Sequence, residues 1–146
     1  MNSDSNFQRT EKAAVNIGVL ELAQIDVLVE NLLYTNRSDF IRTAIRKQLE
    51  THRDYINGMV SPNVDRDDLT AIATIGGIGV FRLAANDLQR LKAQGKKAKV
   101  IVVGILIIDR SVNVTLFNTQ VASIKIYGKL QAPKQLQEIL TQKQMK

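Results

Sequence analysis

The chain has no cysteine and a single histidine, His52, among its 146 residues. Disulfides and thiolate metal centres are excluded, and one histidine supplies too few donors for a transition-metal site. A membrane-spanning run is lacking as well. The longest uncharged apolar stretch, Leu69–Phe81, is 13 residues long and holds three glycines and two threonines, whereas a spanning helix needs about 20 apolar residues. The N-terminus, Met1 to Thr10, is polar, without the apolar core of a signal peptide. No Ser/His/Asp set or clustered acids suggest an active site. The run Gly76-Gly77-Ile78-Gly79 lacks the Gly-Lys-Ser/Thr ending of a phosphate loop, and its spacing does not fit the dinucleotide fingerprint. These absences lead us to expect a soluble cytoplasmic protein, not an enzyme, with no metal and no cofactor.

Charge is what the chain has in surplus. Its formal net charge of +6 suggests a polyanionic partner. The surplus is uneven. Residues 1–58 carry seven Lys/Arg against eight Asp/Glu, while residues 59–146 carry thirteen against six. The densest basic run is Lys92, Lys96, Lys97 and Lys99, which reads as a solvated helix end and loop with nucleic-acid contact as the second option.

Periodicity divides the chain. Residues 1–11 read as a flexible arm of Asn, Ser, Asp and Gln with one Phe. Lys12–Ile17 alternates, with Ala13, Val15 and Ile17 on one face and Lys12, Ala14 and Asn16 on the other, the pattern of a half-buried strand. After Gly18 the period becomes helical: Leu22, Ile25, Val29 and Leu32 form a stripe, opposed by Glu21, Asp26 and Glu30. Tyr34-Thr35 ends that helix. Asn36 then reads as the N-cap of a second helix, with Asp39 three residues on in the capping-box position. Ile41, Ala44, Ile45, Leu49 and His52 make its apolar stripe, and Arg42, Arg46, Lys47 and Arg53 crowd its later turns, where they suit the helix dipole. Asn57-Gly58 and Ser61-Pro62-Asn63 mark a linker.

An approximate repeat follows. Gly77–Leu83, Gly104–Asp109 and Gly128–Pro133 each open on glycine, 27 and 24 residues apart, and each leads into a segment able to form a helix: Asn86–Ala93, Asn113–Val121 and Lys134–Leu140. Periods of this length fit a short parallel strand-helix solenoid; an ordinary α/β domain with glycine-started strands fits as well.

Strand, helix, Asn-Arg-Ser-Asp, helix is more specific than any of its parts. Lys12–Leu49, and above all Val29–Arg42, resembles the ribbon-helix-helix superfamily of Arc, MetJ and CopG type. The resemblance implies a dimeric, mostly helical module with one intermolecular β-ribbon. Composition agrees, since a six-residue strand leaves its hydrogen bonds unmade and so short a segment has too little core to fold alone. Val15, Ile17, Leu22, Ile25, Val29, Ile41 and Ile45 are then the expected dimer core. By resemblance, the outward ribbon residues Lys12, Ala14 and Asn16 face DNA bases in the major groove. Asn16 can bond adenine, Lys12 guanine or phosphate, and Ala14 offers only an apolar contact. Asn36, Arg37 and Ser38, at the start of the second helix, are the expected phosphate anchor.

The expected organisation is an arm at 1–11, a ribbon-helix-helix domain at 12–56, a linker at 57–67 and an α/β domain at 68–146 for oligomerisation or signal reception. The resemblance implies a prokaryotic, nucleoid-associated regulator, most simply a repressor. Its partners are double-stranded DNA and further copies of itself, as a homodimer and as a higher oligomer through the C-terminal domain, with no membrane and an effector the residues do not name. The nickel-sensing domain of some relatives is ruled out by the missing His and Cys ligands. Two other readings stand beside this one: a partition, conjugation or antitoxin-type DNA binder, and an assembly protein that keeps the module only to dimerise.

Overall fold

The computed structural model describes residues 10–60 and 71–144, with side chains to Thr141. The chain divides into two compact units, Met1–Tyr55 and Ile56–Lys146.

The first unit is built on α1 (Val19–Glu30) and α2 (Arg37–Thr51), and α3 (Arg53–Val60) begins at its end. α1 stops in a Schellman turn: Leu33 N–H donates to Leu28 C=O and Leu32 N–H to Val29 C=O, both at 3.0 Å. Leu32 occupies the left-handed position of that turn, with φ +61°, where glycine is the usual residue. Asn36 caps α2 as its spacing indicates. Its side-chain oxygen accepts from Asp39 N–H at 2.8 Å, and the Asp39 carboxylate accepts from Thr35 N–H at 3.1 Å. Asn57 and Gly58, expected in a linker, lie inside α3. Ser61-Pro62-Asn63 and the arm before Thr10 fall outside the described residues.

The second unit alternates strand and helix: β1 (Ile72–Leu83), α4 (Ala85–Ala93), β2 (Lys97–Ile108), α5 (Val114–Gln120), β3 (Val121–Gln131) and α6 (Lys134–Gln144). Its sheet has the order β1-β2-β3, with both pairings parallel. One face packs on the helices. Ala98, Val100, Val102, Leu106 and Ile108 of β2 are buried with Leu88 of α4, Phe117 of α5 and Leu136 and Leu140 of α6. Burying these side chains from water is the main force holding the unit together. The opposite face carries Ile78, Val80, Ile101, Val103 and Ile105, together with Arg82, Lys97, Lys99, Lys125 and Lys129.

The repeat is real, but its register differs from the spacing in the sequence. The strands begin five to seven residues before their glycines, and the glycine aligned with Gly104 and Gly128 is Gly79, not Gly77. Pairing across strands decides this. Gly79, Gly104 and Gly128 form one rung, with φ of +134°, +140° and +131°, values open almost only to glycine.

Candidate nucleic-acid interface

Thr10–Gly18 adopts no regular secondary structure, so the strand expected at Lys12–Ile17 is not formed within the single chain. The physical reason is the one that made a dimer expected: six extended residues have no neighbour in their own chain to complete a ladder. Lys12, Ala14 and Asn16 are all exposed. So are Val15, at 77%, and Ile17, which precede Gly18, the uncapped start of α1. Of the residues expected in a dimer core, Ile25 alone is buried in the chain by itself. Leu22, Val29 and Ile41 are half-buried, and Ile45 is exposed. Val19, Leu20, Val27, Leu33 and Leu49 add further exposed apolar surface on the two helices. Isolated apolar side chains on a surface are ordinary; two helices with one buried residue among those described are not a finished fold.

The turn into α2 brings Asn36, Arg37 and Ser38 together. The cap uses the Asn36 side chain, so Asn36 shapes the turn. The backbone N–H groups of Arg37 and Ser38 point out of the first turn of α2 without an intrahelical acceptor, as the first turn of any helix leaves them. The Arg37 side chain is placed differently from the simple expectation. It grips Asp26 of α1 through two parallel bonds, Nε to Oδ1 at 2.6 Å and Nη2 to Oδ2 at 2.7 Å. That fork fixes the start of α2 against α1. It holds the Asp26 carboxyl below the usual aspartate range and raises the guanidinium further, in each case chiefly through the side-chain hydrogen bonds. Sequence reading missed Asp26 as a partner, and eleven residues separate the pair. The signal was present as an acid on the polar side of α1, but only the packing of the hairpin could connect it with Arg37. Tyr34 and Phe40 brace the same turn edge to face, their ring centres 5.0 Å apart.

His52 lies at the C-terminal end of α2, 3.4 Å from the Gln48 amide. No group of three or more His, Cys, Asp or Glu side chains able to hold a metal occurs among the described residues, and none of their helices is long and apolar enough to cross a membrane. In the second unit a shallow concavity lies at the C-terminal ends of the strands. Arg82, Arg110 and Lys134 border it, and Arg82 sits 3.4 Å from Asp109.

The model of the Ribbon-Helix-Helix transcriptional regulator family matches residues 8–137. The match runs past the N-terminal helices and takes in the whole three-stranded sheet and the start of α6. No match is found among the curated proteins or among the solved structures. With nearly its full length covered, and with α1, the capped turn and α2 in the order that the sequence motif requires, the chain belongs to the ribbon-helix-helix transcriptional regulator family.

Proposed function

We propose that this regulator is a homodimer that reads a short palindromic operator and represses transcription from it. The two Lys12–Ile17 segments pair as an antiparallel ribbon in the DNA major groove. Asn16 and Lys12 make the base contacts and Ala14 an apolar one. The N–H groups of Arg37 and Ser38 hold a phosphate on each side and set the register of the ribbon, with the turn shaped by Asn36. Arg37 serves two purposes in this reading, since its side chain ties α2 to α1 while its N–H faces the DNA. The second unit joins subunits or receives the signal that changes DNA affinity.

The observation that carries the proposal is the exposure of Val15, Ile17, Val19 and Leu20 beside Ile25, the single buried residue among the described residues of the first unit. A second copy supplies the missing core and the missing strand at once. The test is Val15→Asp in the full chain. Sedimentation of the wild type is expected to give a dimer or a multiple of it, and the variant is expected to lose both the mass and the binding of duplex DNA. A variant that sediments and binds DNA as the wild type does would refute the ribbon.

A further inference from the structure

The two edges of the C-terminal sheet are unlike. β3 is studded with Lys125 and Lys129, the lysine guard by which edge strands avoid unwanted pairing. β1 has no such guard. From Ile72 to Phe81 it carries no charge, and three of those ten residues are glycine. Among the described residues β1 pairs only with β2, so one edge of a twelve-residue strand presents its N–H and C=O groups outward.

The glycine rung gives an independent sign. A Cβ built on Gly128 would lie 2.0 Å from the carbonyl oxygen of Gly104, and one built on Gly104 would lie 2.1 Å from that of Gly79. Each of these glycines makes room for the strand before it. Gly79 has the same backbone conformation, yet a Cβ built there meets nothing within 4 Å. Among the described residues nothing takes the place that a preceding strand would fill.

We infer that the outer edge of β1 is an interface, and that its occupant is β1 of a second copy, running antiparallel. The three-stranded sheet of each copy then becomes half of a continuous six-stranded sheet. Of the ways to fill a strand edge with this same chain, the antiparallel β1 pair closes on itself by two-fold symmetry. Adding β3 of another copy to β1 would instead propagate head to tail into an open filament, with a lysine-bearing strand at every junction. Two-fold closure also matches the symmetry of a ribbon-helix-helix dimer, whose two chains hold their C-terminal units at high effective concentration. The inference deepens the assembly part of the proposed function and does not depend on what DNA is read.

The absence of native cysteine makes the test clean. Single cysteines placed at Ile72, Thr74, Ile78 and Val80 of the full chain carry nitroxide labels, and distances between copies are measured by pulsed electron paramagnetic resonance. Ile78 is half exposed, at 52%, so it tolerates a label. Antiparallel pairing makes the distance fall and then rise along β1, changing by about 7 Å per residue on either side of the two-fold axis. Val80→Lys, a guard charge on the open face, is expected to abolish the short distances and leave the far-UV circular dichroism and the sedimenting mass of the N-terminal dimer unchanged. Three outcomes overturn the inference: distances constant along β1, distances shorter at Ile105 or Tyr127 than anywhere on β1, and no short distance in a chain that sediments as a dimer. A monomer by sedimentation overturns the ribbon proposal as well, which separates the two failures.

Discussion

Gly104→Ala tests how the second unit is built. Gly104 sits in the central strand, paired on both sides, with φ +140°. Forcing an L residue into that region costs on the order of 1–3 kcal/mol. The new methyl also needs space that is occupied: its Cβ would be 2.1 Å from Gly79 O and 3.0 Å from Gly79 C, both backbone atoms of a hydrogen-bonded neighbour. Overpacking of that kind adds roughly 1–3 kcal/mol. Together the substitution should remove about 2–6 kcal/mol from a unit whose total stability is of the ordinary 5–15 kcal/mol order. For a domain of this size that lowers the melting temperature by at least about 8 °C. Two glycines serve as controls. Gly79→Ala has the same φ and, among the described residues, no atom within 4 Å of its Cβ, so it loses only the conformational part within its own chain and more wherever a second copy's β1 lies against it. Gly58→Ala lies within α3 with open space around it and should stabilise by about 0.5–1 kcal/mol. Thermal and urea unfolding of the full chain, followed by far-UV circular dichroism, give the ranking. If Gly104→Ala melts within a degree or two of the wild type, the glycine rung is not what shapes the sheet.

Three further expectations concern the first unit. Leu32→Gly relieves a left-handed leucine that costs about 1–2 kcal/mol, part of it offset by the extra freedom of unfolded glycine, so the variant should melt a few degrees higher in a calorimetric scan. Asn36→Ala removes the cap donated to by Asp39 N–H and should destabilise by about 1 kcal/mol in urea titration, whereas Asn36→Asp should keep most of the stability. The Asp26 carboxyl is held below its ordinary value by Arg37. The stability it contributes is therefore fully present above the unfolded value, about 3.9, and is lost as pH falls through the lowered folded one. Asp26→Asn should remove that acid-side dependence when unfolding is measured from pH 6 downward.

The N-terminal module is legible in the sequence where its signals are local. Asn36 and Asp39 are three residues apart and announce the cap of α2, and Leu22, Ile25 and Val29 announce α1. Lys12–Ile17 announces a strand as well, yet the single chain does not form it, because alternation states which face wants burial and only a second chain provides the partner. Arg37 illustrates the opposite failure. Its neighbours suggest a cation free for phosphate, and tertiary packing hands the side chain to Asp26. In the second unit the repeat is visible from its glycines, but register is a property of strand pairs. Gly77 and Gly79 both look like candidates until pairing with Gly104 selects Gly79. Lys97 and Lys99 appear as part of a basic loop, whereas they alternate along β2 onto the open face of the sheet. Asn57-Gly58 reads as a break and is helical, a weak local preference overruled by its surroundings.

The central claim is that the N-terminal ribbon reads DNA sequence. Its most direct test is binding of the full chain to duplex from its own upstream region and to random duplex of equal length, across a salt series, with Asn16→Ala and Lys12→Ala alongside. Wild type is expected to retain its preference for the upstream duplex as salt rises, Asn16→Ala is expected to lose that preference at a cost of about 1–3 kcal/mol at the cognate site, and nonspecific affinity is expected to fall steeply with salt. Equal affinity for both duplexes at every salt concentration, unchanged by Asn16→Ala, would contradict the claim.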